Sequence, residues 1–358
     1  AQMGSNDPLV QDRLALICQR CVHYAGKVIL EFYRARREPS PGAWIDLHGY
    51  YATAEEWDID KISVAEPLNE GSKTQCAADA YAAVLLVDLA SPYSRSAHEF
   101  AWICRWAQRF APLTAIMPLG EPIEARAFGI DLMHDASTRP LEILPRKESV
   151  RWFDTRKLSA SLQELLARLK AHESPAALGL GNDCPASIAN RLLLQLYKPW
   201  CLNATPRRFQ RRGASGLAQV CLGFEAIHFH VEGREFNQPE HVRMYSRGDM
   251  ERIWTFRDQV DPTQLSVRAT QIQLGYPLEH WSVADQSVSG FRLQRGEAGA
   301  RIAHGQLFCL RPPDGEQFLL AQVSWLMMLK DDLLIGIHVL PCVPRGIAVR
   351  PTGANVSH

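Results

Sequence analysis

Two short motifs in the second half of the chain carry the side chains best suited to binding chemistry. One is Arg-x-x-x-Arg, which occurs in two overlapping registers within a single run: Arg207, Arg208, Arg211 and Arg212. A guanidinium group bonds phosphate oxygens in a bidentate manner, pairs with the O6 and N7 atoms of guanine, and stacks flat on a purine. The run therefore indicates a site for a ligand that carries phosphate groups.

The other motif is Asp-x-Ser-x-x-Gly, formed by Asp285, Ser287 and Gly290. An aspartate carboxylate accepts hydrogen bonds from the N–H donors of guanine, and a serine hydroxyl can bond a base or a phosphate. A glycine lets the backbone approach a ligand closely because it has no Cβ atom. Together the two motifs predict a site for a small ligand with both phosphates and nucleobase edges.

No pattern in the chain indicates catalysis. The sequence has no Gly-x-Ser-x-Gly, no Gly-Lys-Ser phosphate-binding loop and no His-Glu-x-x-His, which are the short motifs of several large enzyme classes. We also find no nucleophile beside a base. We therefore predict a binding protein that is not an enzyme, with no catalytic residue, no metal and no cofactor beyond its ligand.

Two weaker candidates for metal binding are better explained as residues with a structural role. His228 and His230 are predicted to lie on one face of a strand, but no third ligand follows nearby in the sequence. Cys18 and Cys21 form a Cys-x-x-Cys within a helical pattern and have no second pair at zinc-finger spacing. We expect the histidines to have a structural role and the cysteines to pack in the core.

Composition limits the class of protein and of partner. The 358 residues are enough for two domains, and 46% hydrophobic with 22% charged residues is ordinary for a globular protein. The formal net charge is zero, which argues against bulk nucleic acid as a partner. No apolar run approaches the roughly 18 residues of a membrane helix. Nine scattered cysteines and a start without a signal-peptide pattern favour a cytoplasmic protein.

The first half of the chain has the periodicity of helices. An apolar stripe runs from Leu14 to Phe32, residues 79–90 are strongly apolar, and Ser96 with Glu99 forms a capping box before another stripe. Residues 127–132 and 150–154 alternate like two strands that could pair. We predict a mostly helical domain over residues 1–185, with the linker-like residues 173–185 at its end.

A competing interpretation of the first half is a response-regulator receiver. Residues 83–88 would then be a buried parallel strand, residues 97–110 a crossover helix and residues 113–119 the next strand. A receiver also needs an acidic pair early in the chain and a lysine after its last strand, and the sequence shows neither at the matching places. The sequence therefore argues more strongly against an active phospho-acceptor site than against the receiver fold itself.

The second half alternates like an antiparallel β-barrel. Strand patterns cover residues 217–231, with a bulge near Gly223, and residues 281–293, 307–310, 318–329 and 333–339. We predict an α+β chain in which residues 186–212 form a helix and an arginine-rich linker. Residues 213–349 form the barrel, with an insertion at about 232–278 that includes a possible helix at Met250–Val260.

The order and strand context of the two motifs resemble the PilZ family. The resemblance covers roughly residues 200–345 without the insertion, and includes Val-x-Trp and Ile-Gly-Ile patterns before residue 340. It implies a six-stranded barrel that binds the bacterial second messenger cyclic di-GMP. Arg207 with Arg211, or Arg208 with Arg212, would clamp the ligand, and the Asp285, Ser287 and Gly290 motif would form the surface beneath it.

Two functions follow from this resemblance. The first is a cyclic di-GMP receptor that converts ligand binding into altered domain orientation or altered binding of a protein partner by the N-terminal domain. The alternative is a ligand-free adaptor or scaffold with a PilZ-like barrel. Both motifs can form one site only if the 74 residues from Arg211 to Asp285 fold out of the way.

Overall fold

A computed structural model of the 358-residue chain describes residues 13–66, 73–120, 127–202, 211–236, 276, 278–296 and 299–347. Contacts between Cα atoms divide the chain into two units. The first comprises Ala1–Arg208 with Leu326–Asp331, and the second comprises Phe209–Trp325 with Asp332–His358. Among the described residues, no helix is both long enough and apolar enough to cross a membrane.

The first unit is built mainly from helices. Its described part contains α1 Leu14–Arg34, α2 Ala43–Glu56, α3 Ala77–Leu89, α4 Ala97–Phe110, α5 Arg156–Lys170 and α6 Ala186–Cys201. Helix α3 is apolar on nearly all sides because it lies at the centre and contacts α1, α2, α4 and α6. Tyr81, Leu85 and Leu86 on this helix are fully buried.

Helix α3 contradicts the receiver interpretation. Residues 83–88, which that interpretation made a parallel strand, lie within the helix. A continuous apolar run does not distinguish a buried strand from a buried helix, because both are covered on every side. The capping box was predicted correctly: Ser96 Oγ accepts from the Glu99 N–H at 3.2 Å, and the Glu99 carboxylate accepts from the Ser96 N–H at 3.0 Å.

A small antiparallel sheet completes the first unit. Its strands are β3 Ala115–Pro118, β4 Phe128–Asp131, β5 Arg139–Pro140 and β6 Val150–Asp154, in the order β3-β6-β4-β5. A separate two-stranded pair consists of β1 Val64–Ala65 and β2 Thr74–Gln75. The predicted pairing of residues 127–132 with 150–154 is confirmed by β4 and β6. Antiparallel pairing throughout this sheet is incompatible with the parallel sheet of a receiver.

The second unit is a closed β-barrel, as the sequence predicted. Its strands are β7 Arg212–Gly213, β8 Leu217–Cys221, β9 Glu279–Ser287, β10 Gly290–Arg295, β11 Leu307–Arg311, β12 Leu319–Leu329 and β13 Asp332–Val339. Six strands close in the order β8-β9-β10-β13-β12-β11, and β7 is an extra short strand on β9. The predicted α+β class is therefore confirmed.

Large apolar side chains fill the barrel and explain one glycine. Trp281 and Phe308 are fully buried and meet edge to face, with ring centroids 5.6 Å apart. A Cβ atom on Gly336 would lie 1.9 Å from Nε1 of Trp325. Gly336, in the Ile-Gly-Ile pattern of β13, thus leaves the space that the indole ring of Trp325 occupies.

The prediction of one strand pattern over residues 217–231 was wrong. The strand ends at Cys221, and helix α7, Phe224–Glu232, begins after Gly223, whose φ is 86°. Helix α7 buries only Ala226 and Ile227. Such a short helix with apolar residues on several sides resembles an alternating strand in sequence.

The helix also changes the interpretation of the two histidines. Side chains two apart on a helix do not face each other, so His228 and His230 are not the predicted pair on one strand face. No group of three or more His, Cys, Asp or Glu residues that could hold a metal ion occurs in the described part of the chain. Most of the predicted insertion, including Met250–Val260, lies outside the described residues.

Candidate ligand-binding site

The short strand β7 brings the arginine run to the second motif. Arg212 pairs with Gln286 and Gly213 pairs with Asp285 in antiparallel register. Strand β8 pairs with residues earlier on β9, from Glu279 to Ser282, so β7 and β8 lie along the same edge of β9. Continued by one position, this register sets the residue before β7 opposite Ser287, two positions from Asp285 on the same face of the sheet.

That residue is Arg211, and it contacts Asp285 directly. Arg211 Nη1 donates a hydrogen bond to Asp285 Oδ1, although the two residues are 74 positions apart. The whole residue Asp285 is only 8% exposed. A nearly buried carboxylate is stabilised by a paired guanidinium, so this contact joins the two motifs in one place.

The remaining motif residues lie in the hairpin between β9 and β10. Ser287 Oγ donates to the Gly290 carbonyl oxygen at 3.3 Å. A Cβ atom on Gly290 would lie 2.2 Å from the carbonyl oxygen of Ile337 on β13. The glycine is therefore required by the close approach of two strands, whatever its role toward a ligand.

Arg292 also belongs to this cluster, and the sequence reasoning missed it. It lies on β10 directly opposite Asp285, and its Nε atom is 2.8 Å from Asp285 Oδ2. A signal was present in the sequence. The two-residue turn Val288-Ser289 between β9 and β10 sets the register, and counting back from the turn pairs Asp285 with Arg292.

The cluster has more positive than negative charge. Two guanidinium groups contact a single carboxylate, and the side chains of Arg211 and Arg292 are 26% and 42% exposed. Arg212 is exposed and pairs with Gln286, so its side chain lies on the other face of the sheet from Asp285. This arrangement presents cationic donors to solvent around a fixed acceptor, which suits a ligand with phosphate groups and N–H donors.

The structure describes five of the seven predicted site residues. Arg211, Arg212, Asp285, Ser287 and Gly290 lie together around the β9–β10 hairpin and its neighbour β7. Arg207 and Arg208 lie outside the described residues. The role of all seven residues toward a ligand stays a prediction.

Comparison with known families shows which family the chain belongs to. Residues 1–119 match the model of the N-terminal domain of the cyclic-di-GMP receptor FimW, and residues 128–253 match the model of its middle PilZ domain. The chain belongs to the PilZ family. The suspected resemblance is thus confirmed, and it extends to the helical N-terminal region. Both models are those of a cyclic-di-GMP receptor, in agreement with the prediction of a binding protein.

The match to the middle PilZ domain covers only one of the two motifs. It includes the arginine run and the elements β7, β8 and α7, and it ends at residue 253, before β9. It also includes β4, β6, α5 and α6 of the first unit. Asp285, Ser287, Gly290 and Arg292 therefore lie outside this match, and the barrel strands bring them to Arg211.

A curated relative agrees with the family models. The cyclic-di-GMP receptor FimW of Pseudomonas aeruginosa PAO1 is 22% identical over 328 residues, which cover 81% of this chain and 53% of the relative. The chain thus spans about half the length of that PilZ protein.

Proposed function

We propose that this chain is a cyclic di-GMP receptor that binds its ligand on the barrel of the second unit. The proposed ligand contacts are Arg207, Arg208, Arg211, Arg212, Asp285, Ser287 and Gly290. The contact between Arg211 and Asp285 is the observation that carries the proposal. It supports a single site, because it joins the two motifs despite the long segment between them.

The chemistry of the contact suggests how the ligand enters. A phosphate group is a strong partner for a guanidinium, so it would compete with Asp285 for Arg211. Once Arg211 has turned to the phosphate, one oxygen of Asp285 becomes available to a guanine N–H donor. The side chains that pair with each other in the absence of ligand would thus each have a partner on the ligand.

The output of the receptor is part of the same proposal. The arginine run joins the described end of α6 to the barrel, so a ligand held by it would alter the orientation of the two units or the binding of a protein partner to the first unit. We place the receptor in the cytoplasm, because all nine of its cysteines are free thiols and such thiols persist in reducing compartments.

Titration calorimetry with cyclic di-GMP tests the proposal. We expect saturable binding by the wild type and much weaker binding of cyclic di-AMP, which lacks the guanine O6 and N2 groups. Arg207→Ala or Arg211→Ala should weaken binding by about ten- to a hundredfold, because each removes a charge-assisted contact of roughly 1.5–3 kcal/mol.

The matched control is Arg301→Ala, which removes an exposed arginine of the same unit that we do not assign to the site. It should bind like the wild type. A wild-type protein that gives no heat with cyclic di-GMP and no gain in thermal stability overturns the proposal. A stable protein partner captured by that ligand-free protein would instead support the adaptor alternative.

A further inference from the structure

Arg292 gives Asp285 a second cation that neither motif contains. Arg211 donates to Oδ1 of the carboxylate, while Arg292 Nε lies 2.8 Å from Oδ2. The two guanidinium groups approach from different strands: Arg211 precedes β7, and Arg292 lies within β10. Each oxygen of the carboxylate therefore has its own cation: Arg211 donates a hydrogen bond, and Arg292 forms an ion pair without hydrogen-bond geometry.

This double pairing matters when a ligand binds. The side chain of Asp285 is only 11% exposed. If Arg211 were its sole cation, transfer of Arg211 to a ligand phosphate would leave a nearly buried carboxylate unpaired, which is strongly unfavourable. With Arg292 present, the carboxylate keeps one ion pair throughout the exchange.

We infer that Arg292 is a positioning residue of the ligand site, which holds the Asp285 side chain in its orientation while Arg211 exchanges Asp285 for a phosphate of the ligand. The inference deepens the proposed function and rests on it. Arg292 acts through Oδ2, so that Oδ1 is directed toward the place that Arg211 vacates. The ligand class is the same anionic cyclic dinucleotide.

A second arginine on β10 provides a matched comparison. Arg295 also pairs with a carboxylate on β9: its Nη1 is 3.2 Å from Glu279 Oε2, and its guanidinium lies 5.0 Å from the centre of the Trp281 ring. This pair lies at the other end of the hairpin from Gly290. Its loss should affect the stability of the barrel without affecting the ligand site.

The first experiment is calorimetry with cyclic di-GMP on the wild type and three variants. We expect Arg292→Met to weaken binding about tenfold, as the loss of one charge-assisted pair implies. Arg292→Lys should recover most of that affinity because it keeps the charge. Arg295→Met should bind like the wild type even if its thermal unfolding temperature falls.

A double-mutant cycle with Asp285→Asn then separates positioning from direct contact. If Arg292 acts through the carboxylate, Arg292→Met should change the affinity by less than twofold in the Asp285→Asn background, because the charge that it holds is already gone. If Arg292 instead touches the ligand, the same tenfold loss should appear in both backgrounds, and that result overturns the inference.

The outcomes for the inference and for the proposed function are distinct. A wild type that does not bind cyclic di-GMP overturns both. A wild type that binds, with Arg292→Met of equal affinity, overturns only the role of Arg292. If Arg292→Met fails to fold, Arg292→Gln and Arg292→Lys provide the same comparison, with circular dichroism as the check that each variant is folded.

Discussion

At the scale of single residues, the site combines groups that serve the fold with groups that are available to a ligand. Gly290 belongs to the first kind, because the carbonyl of Ile337 occupies the space that a side chain would need. Arg211 belongs to the second, since its side chain is 26% exposed and its partner is a single carboxylate. Packing therefore constrains Gly290 in one motif, while Arg211 in the other motif is held by an ion pair that a ligand could replace.

The packing constraint gives a prediction for Gly290→Ala. The added methyl group would meet a backbone oxygen at 2.2 Å, so β10 and β13 must move apart. We expect a loss of about 1–3 kcal/mol in the free energy of unfolding, as for other overpacked sites. Urea denaturation measures it. Gly213→Ala is the control, because no atom lies within 4 Å of the Cβ that it would gain, and equal stability of the two variants would contradict the prediction.

At the scale of elements, a buried histidine links two helices of the first unit. His48 on α2 and Tyr81 on α3 are both fully buried, and His48 Nδ1 is 2.7 Å from the Tyr81 hydroxyl. His48 Nε2 lies 3.0 Å from the carbonyl of Ala136. A carbonyl can only accept, so Nε2 donates. Burial favours the neutral imidazole, in which Nδ1 then accepts from the Tyr81 hydroxyl.

The neutral imidazole predicts a pH dependence of stability. Burial lowers the pKa of His48 below its usual value, although the Ala136 carbonyl and Asp135 favour the charged form. The unfolded chain then takes up the proton first, near pH 6.5. The contribution of His48 to stability is complete above that pH and is lost as the pH falls below it.

The test compares the wild type with His48→Gln by urea unfolding at pH 7.5, 6.5 and 5.5. Between pH 6.5 and pH 5.5, the free energy of unfolding of the wild type should fall by up to about 1.4 kcal/mol per pH unit more than that of the variant. The readout is the slope of the free energy of unfolding against pH, and a general loss of packing in the variant does not change that slope. Parallel pH profiles for the two proteins would show that His48 does not titrate in this way.

At the scale of the whole molecule, the chain divides into two units of different architecture. The first unit matches the N-terminal FimW domain over residues 1–119 and is mainly helical. The second is the barrel that carries the candidate site. Ligand binding to the second unit should therefore stabilise the barrel directly.

This division predicts the effect of cyclic di-GMP on thermal unfolding. At a ligand concentration of about 100 times the Kd, we expect roughly 2.7 kcal/mol of stabilisation. Differential scanning calorimetry should show this as a higher Tm for the transition of the second unit. Arg211→Ala, whose affinity should be about ten- to a hundredfold lower, should be stabilised by only about 0.4–1.4 kcal/mol at the same ligand concentration. An equal shift in the variant and the wild type would show that the ligand stabilises the protein without the proposed site.

Local features of the fold could be predicted from the sequence because their determinants are close together in the chain. The capping box of Ser96 and Glu99 needs four consecutive residues, and β12 and β13 show clear alternation. Residues 217–231 were misjudged because a nine-residue helix contains too few turns for its period to stand out from a strand. The apolar run of α3 was compatible with two structures until its neighbours were known.

By itself, the sequence determined the chemistry of this protein: guanidinium groups, a carboxylate, a hydroxyl and a glycine at spacings that suit a nucleotide ligand, in an α+β chain with a terminal barrel. Only the tertiary structure decided which of these groups meet. The pairing of β7 with β9 places Arg211 on Asp285, and the β9–β10 register adds Arg292. Contacts across 74 residues depend on the closure of the barrel, which no local pattern specifies.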